Sequence, residues 1–368
     1  MKAIINLLFV FMVCIISACN NHSNIIKQVS PVYSFKINAD KVSKLNLQDI
    51  ADLDRIIPLE TKDECLITSI GKVLLTDSSL IVWDKGSNNV LIFDNIGQYQ
   101  RSIGSKGPSP EEYINIGDIQ INNDTICILD VATRRIIKYD IYGKFISSIQ
   151  SKYYLYTFNM VPEGCWGINA HQNEDHYNLI LLDKNLQKIK QGCFRSDKVL
   201  PLLPTNNFSK NEKNNESIFH YQYNDTIYKI QKDSITPFIA LDFGKNKESE
   251  DINTDNYKGH IHNVHLYGDH LFFSFNHASS NNMPYEGYNC YISLKNSKMK
   301  IYTFDVVHDE KTIVSPLPEI INISKGKLIY QIVPSELPDN IFNKLRETSF
   351  EVVNSESNPI LILYNLKE

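Results

Sequence analysis

The fold is indicated by residues 80–103, which read LIVWDKGSNNVLIFDNIGQYQRSI. The same pattern returns 46 residues later, at residues 126–149, as ICILDVATRRIIKYDIYGKFISSI. The matched positions are Asp84, Phe93, Asp94, Gly97 and Ile103 in the first copy, and Asp130, Tyr139, Asp140, Gly143 and Ile149 in the second. Each copy reads as strand, turn, strand, tight turn and strand, and a period in the mid-forties is typical of a β-propeller blade. Since one blade cannot bury its own faces, a repeated blade predicts a closed ring of blades.

Weaker copies of the pattern extend the repeat along the chain. We predict an all-β, six-bladed β-propeller whose blades have about four antiparallel strands. The blades are expected at roughly 60–104, 117–151, 153–195, 215–244, 260–306 and 318–367. A five-bladed ring is the alternative, if the poorly patterned region 153–195 is an insertion. A strand near 53–59 is expected to pair with the strand at 360–364, which joins both chain ends in one sheet and removes free edges.

The N-terminus has the pattern of a targeting segment. Lys2 supplies a positive charge, and residues 4–16 are apolar apart from Asn6, a stretch too short to span a bilayer comfortably. The small residues before Cys19 resemble the lipobox of bacterial lipoproteins, which implies cleavage before Cys19 and diacylation of its sulfur. The alternative is an ordinary secretory signal in which Cys19 is incidental. We therefore expect a signal peptide at 1–18, a tether at 19–30 and a single β-propeller domain at 31–368.

Composition favours β-sheet and argues against a nucleic-acid partner. The chain has 20 Tyr and 17 Phe, and aromatic residues are enriched in strands. Its formal net charge of −5 is mild, whereas nucleic-acid binding needs a concentrated basic face. Five cysteines lie beyond Cys19, so they cannot all pair internally, and none has CxxC spacing. We expect no cofactor and no required disulfide, with Cys127 buried as a small apolar residue.

Several short motifs, taken in order, resemble one family. They are Ile57-Pro58-Leu59-Glu60-Thr61, Phe93-Asp94-x-x-Gly97, Ile103-Gly104-x-x-Gly107-Pro108-x-x-Glu111-x-Tyr113, Asn224-Asp225-Thr226-Ile227-Tyr228 and Asn358-Pro359-Ile360-Leu361. Together they are similar to the six-bladed β-propeller lipoproteins of anaerobic gut bacteria, and beyond those to NHL-repeat propellers. The resemblance implies the fold and an envelope location. Pro108 and Pro110 occupy the glycine-rich loop of NHL repeats, so the catalytic properties of NHL enzymes are not carried over.

The loop from Gly104 to Tyr113 is expected on the propeller face that usually meets ligands. Its candidate ligand-binding residues are Lys106, Glu111, Glu112 and Tyr113, which suit a polar ligand such as a sugar or a peptide. The alternative is structural: the prolines stiffen the loop, Tyr113 packs between blades and the charges face water.

Two further features have a candidate chemical role as well as a structural one. Arg134 and Arg135, next to Lys138, form a small basic cluster that is either a ligand contact or ordinary surface display. Asp84 and Asp130 end equivalent strands and could face a cation. Their recurrence in two blades favours turn capping, because a fold requirement recurs and a single active site does not.

Histidine is concentrated in one stretch, at His260, His262, His265, His270 and His277. His260 and His262 share one face if they lie in a strand. On the inner strand of the fifth blade they could bind a metal with His265 or Asp269 as a third ligand. The spacing matches no named metal motif, and polar lining of the channel is the alternative.

These observations predict a membrane-anchored envelope lipoprotein whose propeller binds a glycan, a peptide or a partner protein without catalysis. The alternatives are a metal-assisted hydrolase or lyase at the channel mouth, and a structural scaffold in a larger envelope complex. No Walker loop, GxSxG elbow or HExxH motif occurs. In the bacteria whose lipoproteins this sequence resembles, acidic residues just after the cysteine mark surface export. The residues after Cys19, Asn20-Asn21-His22-Ser23, contain no acidic cluster, so the resemblance implies the periplasmic side of the outer membrane over the cell surface.

Overall fold

The computed structural model describes residues 26–27, 29–170, 172–174, 176–194, 207–221, 224–231, 234–244, 259–277, 286–303, 306–307, 320–336, 345 and 353–368. Within these ranges the regular secondary structure is almost entirely β-strand, with short 3₁₀ turns at Leu47–Asp49, Asp63–Cys65 and Pro334–Glu336. No helix in these ranges is long and apolar enough to cross a bilayer.

Short strands form throughout the described chain, and the middle strands of the blades, such as residues 79–84 and 360–366, are runs of mostly buried apolar residues. The strands as far as residue 150 are β1 (Tyr33–Lys36), β2 (Leu45–Asn46), β3 (Ala51–Pro58), β4 (Ile70–Leu75), β5 (Ser79–Asp84), β6 (Asn89–Asp94), β7 (Tyr99–Ser102), β8 (Ile116–Asn122), β9 (Thr125–Asp130), β10 (Arg135–Asp140) and β11 (Phe145–Gln150). The next are β12 (Leu155–Val161), β13 (Gly164–Asn169), β14 (Tyr177–Asp183), β15 (Lys188–Phe194), β16 (Phe208–Asn211), β17 (Glu216–Phe219), β18 (Thr226–Ile230) and β19 (Ile235–Asp242). The last are β20 (His260–Tyr267), β21 (His270–His277), β22 (Glu286–Ser293), β23 (Lys298–Tyr302), β24 (Val306–Val307), β25 (Asn322–Ser324), β26 (Lys327–Ile332) and β27 (Ile360–Leu366).

Six antiparallel blades form a ring, which confirms the predicted fold. Blades 1 to 5 are β4–β7, β8–β11, β12–β15, β16–β19 and β20–β23, and blade 6 is β25–β27 completed by β3. The first strands of the blades (β4, β8, β12, β16, β20 and β25) contact one another in a closed circuit around the axis. Region 153–195 is blade 3, so the five-bladed alternative is wrong. Blade 4 begins at Phe208, earlier than the predicted boundary at 215, because its short inner strand has little alternating pattern.

Antiparallel order gives the ring two different faces. The turns between first and second strands, and between third and fourth strands, lie on one face, which we call the turn face. The loops between second and third strands, and the connections between blades, lie on the opposite face, which we call the loop face. The predicted ligand loop 104–113 connects blade 1 to blade 2 and belongs to the loop face.

The ring closes where the two ends of the chain meet, as predicted. β27 pairs antiparallel with β3, with Leu361 opposite Ile57 and Ile360 opposite Pro58. Asn358 lies just before this strand, is buried, and bonds to the connection that follows β3: its amide donates to the carbonyls of Glu60 (2.6 Å) and Cys65 (2.8 Å). Segments from both halves of the chain therefore complete one sheet, and β27 has a partner strand on each side.

A segment before β3 covers the outer edges of blades 4 and 5, and we call residues 26–50 the N-terminal strap. Ile26 forms a parallel bridge with Ile235, and β1 then pairs parallel with β19. Further along, Val42 bridges to Ile301 and β2 pairs parallel with β24. The strap adds a fifth strand to blade 4, which the sequence pattern did not predict.

Asp84 and its counterpart Asp130 have the same role in the two copies of the repeat. Asp84 is fully buried and accepts the N–H groups of Thr68, Ser69 and Gly86 at 2.9–3.0 Å. Asp130 is also buried and accepts the N–H groups of residues 114, 115 and 132 at 3.0–3.1 Å. Each carboxylate caps its own turn and fixes the chain entering the inner strand, so the turn-capping prediction is confirmed.

Polar side chains of the inner strands bond to the backbone of the next blade around the axis. Asn322 of blade 6 both accepts from the Val73 N–H (3.1 Å) and donates to the Val73 carbonyl (2.6 Å) in blade 1. Asn211 of blade 4 makes the same two bonds with Gly268 of blade 5, at 2.9 and 3.1 Å. Gln120 of blade 2 bonds to two residues of blade 3: its amide donates to the Phe158 carbonyl, and its Oε1 accepts from the Met160 N–H (3.1 Å). These bonds satisfy inner-strand edges that face the channel.

Candidate functional site

The loop 104–113 folds against its own backbone. The Tyr113 N–H donates to the Ser105 carbonyl and the Gly107 N–H donates to the Tyr113 carbonyl, both at 3.1 Å. The Tyr113 side chain is 1% exposed and packs in the core between blades 1 and 2, where its hydroxyl donates to the Ile103 carbonyl (3.0 Å). Burial raises the pKa of Tyr113 to about 12. Tyr113 therefore has the packing role that the structural alternative predicts.

Glu112 uses its carboxylate within the same loop. It accepts from the Ser109 N–H (2.9 Å) and from the Ser105 hydroxyl (3.2 Å). The hydrogen bond from the Ser109 N–H is the main cause of the lowered pKa of Glu112. A carboxylate held in this way stabilises a loop conformation.

The side chain of Arg135 is buried beneath the same loop, so the expectation of ordinary surface display is wrong for this residue. Its Nη1 and Nη2 atoms donate to the carbonyls of Ser109 (2.8 Å) and Glu112 (2.9 Å). Its Nε donates to the Thr133 hydroxyl (2.7 Å), and the Asp130 carboxylate lies 3.7 Å away. The guanidinium is buried because the loop folds over it, which a sequence repeat cannot show.

The other three residues of the predicted ligand set lie apart from this buried cluster. Lys106 and Glu111 are exposed. The Arg134 guanidinium lies 4.8 Å from the centre of the Tyr154 ring of blade 3 and donates to the Lys152 carbonyl (3.3 Å). Ligand binding by the set of six (Lys106, Glu111, Glu112, Tyr113, Arg134 and Arg135) stays a prediction.

The histidine-rich stretch is the inner strand of blade 5, as its hypothesis required. A bulge at Asn263, whose φ is 53°, shifts the register of β20 against β21 between His262 and His265. The shift places His260, His262 and His265 on one face of the strand. His265 is buried, and its Nε2 lies 2.8 Å from Oδ1 of Asn263.

A shared face does not make these imidazoles a metal site. In the described ranges no group of three or more His, Cys, Asp or Glu side chains is arranged to hold a metal ion. Burial, with a smaller contribution from His262, lowers the pKa of His260. The Nδ1 of His262 lies 3.1 Å from the His260 carbonyl. Metal binding by His260, His262 and His265 thus gains no geometric support here.

The central channel forms a polar cavity of about 200 Å³ towards the turn face. In its wall Lys72 of blade 1 donates to the Asp118 carboxylate of blade 2 (2.5 Å), and the Thr157 hydroxyl of blade 3 donates to the same group (2.6 Å). This network joins three inner strands and uses both carboxylate oxygens. The cavity is smaller than typical ligand pockets of 300–1,000 Å³.

A larger cavity, of about 470 Å³, opens on the turn face between blades 2 and 3, and we call it the blade 2–3 groove. Its apolar lining comes from two strands of blade 2 and from the turns of blade 3. These lining residues are Ile136, Ile149, Met160, Val161, Pro162 and Leu186. Asn122, Asn123, Lys138, Asp183 and Lys184 supply its polar groups. About half of the lining residues are apolar, so the groove is more polar than the usual ligand pocket, which is mostly apolar.

Lys138 is the polar group that sets the chemistry of the blade 2–3 groove. It is half-buried, and within the described chain its ammonium has neither an ion pair nor a hydrogen-bond partner. Asp183 also lines the groove, but its Oδ1 accepts the N–H groups of Asn185 and Gln187, both at 2.8 Å, and so caps its turn. A half-buried ammonium among apolar side chains favours an anionic partner, because burial without one is costly.

The repeat contains a signal that could have identified this groove. Lys138 is 46 residues after Ile92, which is fully buried in blade 1. The first copy of the repeat has a buried apolar residue at this position. A lysine in the second copy therefore does not serve the packing of the fold in the same way. Grouping Lys138 with Arg134 and Arg135 by sequence proximity obscured this difference, because alternate residues of β10 face different blades.

Five cysteines beyond Cys19 are buried and form no disulfide bond within the described residues: Cys65, Cys127, Cys165, Cys193 and Cys290. Burial raises the pKa of the Cys127 thiol to about 11 and that of Cys165 to about 12. These thiols are protonated at neutral pH and have little nucleophilic character. The expectation that Cys127 packs as a buried apolar residue is confirmed. Cys19 lies outside the described residues.

Comparisons with known proteins agree with the propeller architecture. A family model described as a domain of unknown function, DUF4934, matches residues 31–365. A candidate exported protein of Bacteroides fragilis has a similar structure, with a TM-score of 0.70 and 16% identity over 91% of this chain and 99% of that one. A DUF4221-family protein of Bacteroides vulgatus is similar with a TM-score of 0.54 and 9% identity, over 86% of this chain and 98% of that one. No curated protein matches the chain in sequence. Such low identities show the fold alone.

Proposed function

The chain belongs to the DUF4934 family, and we propose that it is a lipid-anchored cell-envelope protein whose propeller binds a ligand without catalysing a reaction. The blade 2–3 groove is the observation that carries the binding role. It has the volume of a ligand pocket, a lining that combines aliphatic and polar side chains, and a half-buried lysine.

The envelope location is supported by the N-terminal sequence and by a structural relative. Residues 1–18 have the pattern of a signal peptide, and Cys19 follows a lipobox-like sequence. The similar Bacteroides fragilis protein is a candidate exported protein. Acyl chains on Cys19 would hold the protein at the outer membrane, on its periplasmic side. The likeness to NHL-repeat propellers stays an expectation.

The residues of the groove favour a peptide over a glycan among the predicted ligand classes. The lining residues provide an aliphatic surface beside an ammonium, and none of the described ones is aromatic. An aliphatic side chain next to a carboxylate, as at a peptide C-terminus, would match both features. A non-catalytic role is supported by the predicted loop residues, of which Glu112 and Arg135 are engaged in bonds within the loop.

The binding proposal is tested with N-acetyl-leucine, which joins an aliphatic side chain to a carboxylate. We expect N-acetyl-leucine to bind and its uncharged amide to bind at least about tenfold more weakly, as measured by NMR titration. Lys138→Met keeps the length of the side chain without its charge and should weaken binding by a similar factor. Lys144→Met, on the exposed start of the outer strand of blade 2, is the matched control and should have no effect. Equal binding of acid and amide, or no binding at all, would overturn this site.

The anchor is tested separately by mass spectrometry and fractionation. The N-terminal peptide of the wild-type protein should begin at Cys19 and carry the mass of acyl chains, and the protein should sediment with outer membranes. Cys19→Ala should remove the modification. An unmodified Cys19 in membrane-free protein would contradict the anchor and leave the groove proposal intact.

A further inference from the structure

The N-terminal strap fixes where a lipid on Cys19 meets the propeller. Ile26 bridges to Ile235, the first residue of β19, and the Lys27 N–H donates to the Ile235 carbonyl (3.0 Å). The Ile26 side chain packs against the core between blades 3 and 4. Since β19 follows a turn of the turn face, the strap begins at the turn-face rim of blade 4.

The chain between Cys19 and this rim is short. Ile26 is seven residues after Cys19, and an extended chain covers at most about 25 Å in seven residues. A blade strand of six to eight residues is itself about 20–25 Å long. The loop face could meet the membrane only if this tether were almost fully extended, whereas the turn-face rim reaches it without extension.

Exposed apolar side chains follow the same rim across three adjacent blades. Ile146 and Ile189 are the second residues of the outer strands of blades 2 and 3, and both are about half exposed (52% and 49%). Tyr142, in the turn before β11, is 67% exposed. On the strap over blade 4, Val29 is 52% exposed near the rim. Val32 is 68% exposed but lies farther from the rim, because the next residue, Tyr33, pairs with Ile239 in the middle of β19.

Basic side chains accompany these apolar ones. They are Lys27 on the strap, Lys144 on blade 2, and Lys184, Lys188 and Lys190 on blade 3. Asp140 and Asp183 in the same turns accept backbone N–H groups but keep their negative charges, so they offset two of these five lysines. Asp124 is exposed, but it lies on an inner turn, closer to the axis. Apolar tips among lysines are typical of surfaces that bind anionic membranes.

The loop face has no comparable belt among the described residues. Its exposed large apolar side chains are Leu66, Ile114 and Val333, which lie on separate connections. We propose that the turn-face rim of blades 2, 3 and 4 rests on an anionic lipid surface, so that the loop face points away from the membrane. This orientation builds on the lipid anchor of the proposed function.

Fluorescence quenching by brominated lipids tests the orientation in the full protein. The described chain has Trp83 and Trp166, which are 7% and 0% exposed and form a constant background. Ile189→Trp adds a reporter on the rim, and Ile114→Trp adds a matched reporter on the loop face. In vesicles of phosphatidylethanolamine and brominated phosphatidylglycerol, we expect the added emission of Ile189→Trp to fall at least about twofold. The emission of Ile114→Trp should be unchanged.

A charge reversal provides the second measurement. Lys144→Glu with Lys184→Glu in the Ile189→Trp background should reduce quenching in the anionic vesicles. Lys106→Glu, which reverses an exposed lysine on the loop face, should not. Quenching at Ile114→Trp, equal quenching at both reporters or none at Ile189→Trp would each overturn the orientation. The mass of the N-terminal peptide decides the anchor independently, so acylated protein without quenching at Ile189→Trp contradicts the orientation alone.

Discussion

A buried polar side chain in this propeller shows by its partners whether it serves the fold. Asp84 and Asp130 are fully buried, and three backbone N–H groups bond to each carboxylate. Each charge is thereby compensated without a ligand. Lys138 lacks such partners within the described residues, which is why it marks a site while the repeated aspartates do not.

His220 is a second buried polar residue whose partners are incomplete. It is 1% exposed, its Nε2–H donates to the Asn224 carbonyl (3.2 Å), and its Nδ1 is a buried atom without a hydrogen-bond partner. Burial is the main cause that lowers the pKa of His220 to about 4. The imidazole is therefore neutral in the folded protein at neutral pH and charged in the unfolded chain below about pH 6.5.

We predict that His220 makes folding stability fall on acidification. Between pH 6.5 and pH 4 the unfolded state binds the extra proton, so stability rises with pH in this window and falls as the pH is lowered. From pH 7 to pH 5 this one group should remove about 2 kcal/mol from the free energy of unfolding. His220→Gln, which can still donate to Asn224, should lose less stability than the wild type over this range. Urea unfolding at both pH values measures the difference, and identical losses in both proteins would contradict the assignment.

The tight turns of the repeat have a common geometry in different surroundings. Asp94 and Asp140 each accept N–H bonds from the second and fourth residues after them, at 2.9–3.0 Å. Gly97 and Gly143 adopt φ values of 94° and 83°, which disfavour any side chain. In blade 3 the same position is Leu186, with φ 57°, so the turn tolerates a side chain when φ shifts into the left-handed helical region.

We predict that Gly97→Ala is much more destabilising than Gly143→Ala. A Cβ on Gly97 would lie 2.1 Å from the Pro58 carbonyl oxygen, at the end of the closing strand β3. A Cβ on Gly143 would meet no atom closer than 3.5 Å, so only the backbone strain applies. We expect a loss of about 1 kcal/mol for Gly143→Ala and about 3 kcal/mol or more for Gly97→Ala. Chemical denaturation of the two variants compares them, and equal losses would show that contact with β3 does not matter.

Local repeats could be predicted from sequence, whereas contacts between distant segments could not. Short alternating strands and Asp-x-x-Gly turns repeat within 46 residues, so Asp84, Gly97 and their copies are visible in the sequence. The burial of Arg135 depends on a loop 20 to 30 residues earlier in the chain that folds back over its side chain. The 46-residue repeat gives no sign of this contact. The blade 2–3 groove likewise joins residues of two blades, and only the replacement of an isoleucine by Lys138 hinted at it.

The whole ring depends on pairings between residues that are far apart in sequence. The pairing of β3 with β27 was predictable, because an unpaired strand near the start of the chain and an unpaired strand near its end can complete one blade. The strap was not, since its parallel pairing with β19 and β24 joins segments separated by about 200 residues or more and needs no repeat. Together the closing strand and the strap connect the N-terminus to three of the six blades.

Asn358 joins the start of β27 to the connection that follows β3 through three side-chain hydrogen bonds. We predict that its loss destabilises the entire propeller. Its Oδ1 accepts from the Ile67 N–H (2.8 Å), and its amide donates to the carbonyls of Glu60 and Cys65. Asn358→Ala would leave the Ile67 N–H and the Cys65 carbonyl without this partner, whereas the Glu60 carbonyl would keep the Cys65 thiol as a donor, and we expect a loss of about 2–4 kcal/mol in the free energy of unfolding. Asn358→Asp should be at least as harmful, because it replaces the donor by an acceptor facing two carbonyl oxygens.

The matched control is Asn185→Ala, an exposed turn residue of blade 3, whose effect should stay within about 0.5 kcal/mol. Intrinsic fluorescence during urea unfolding reports two separate parts of the ring, since Trp83 packs between blades 1 and 2 and Trp166 packs between blades 3 and 4. Closure by both termini implies one cooperative transition for Asn358→Ala at a lower urea concentration. A transition that splits in two would show instead that blades 6 and 1 can separate while the rest of the ring stays folded.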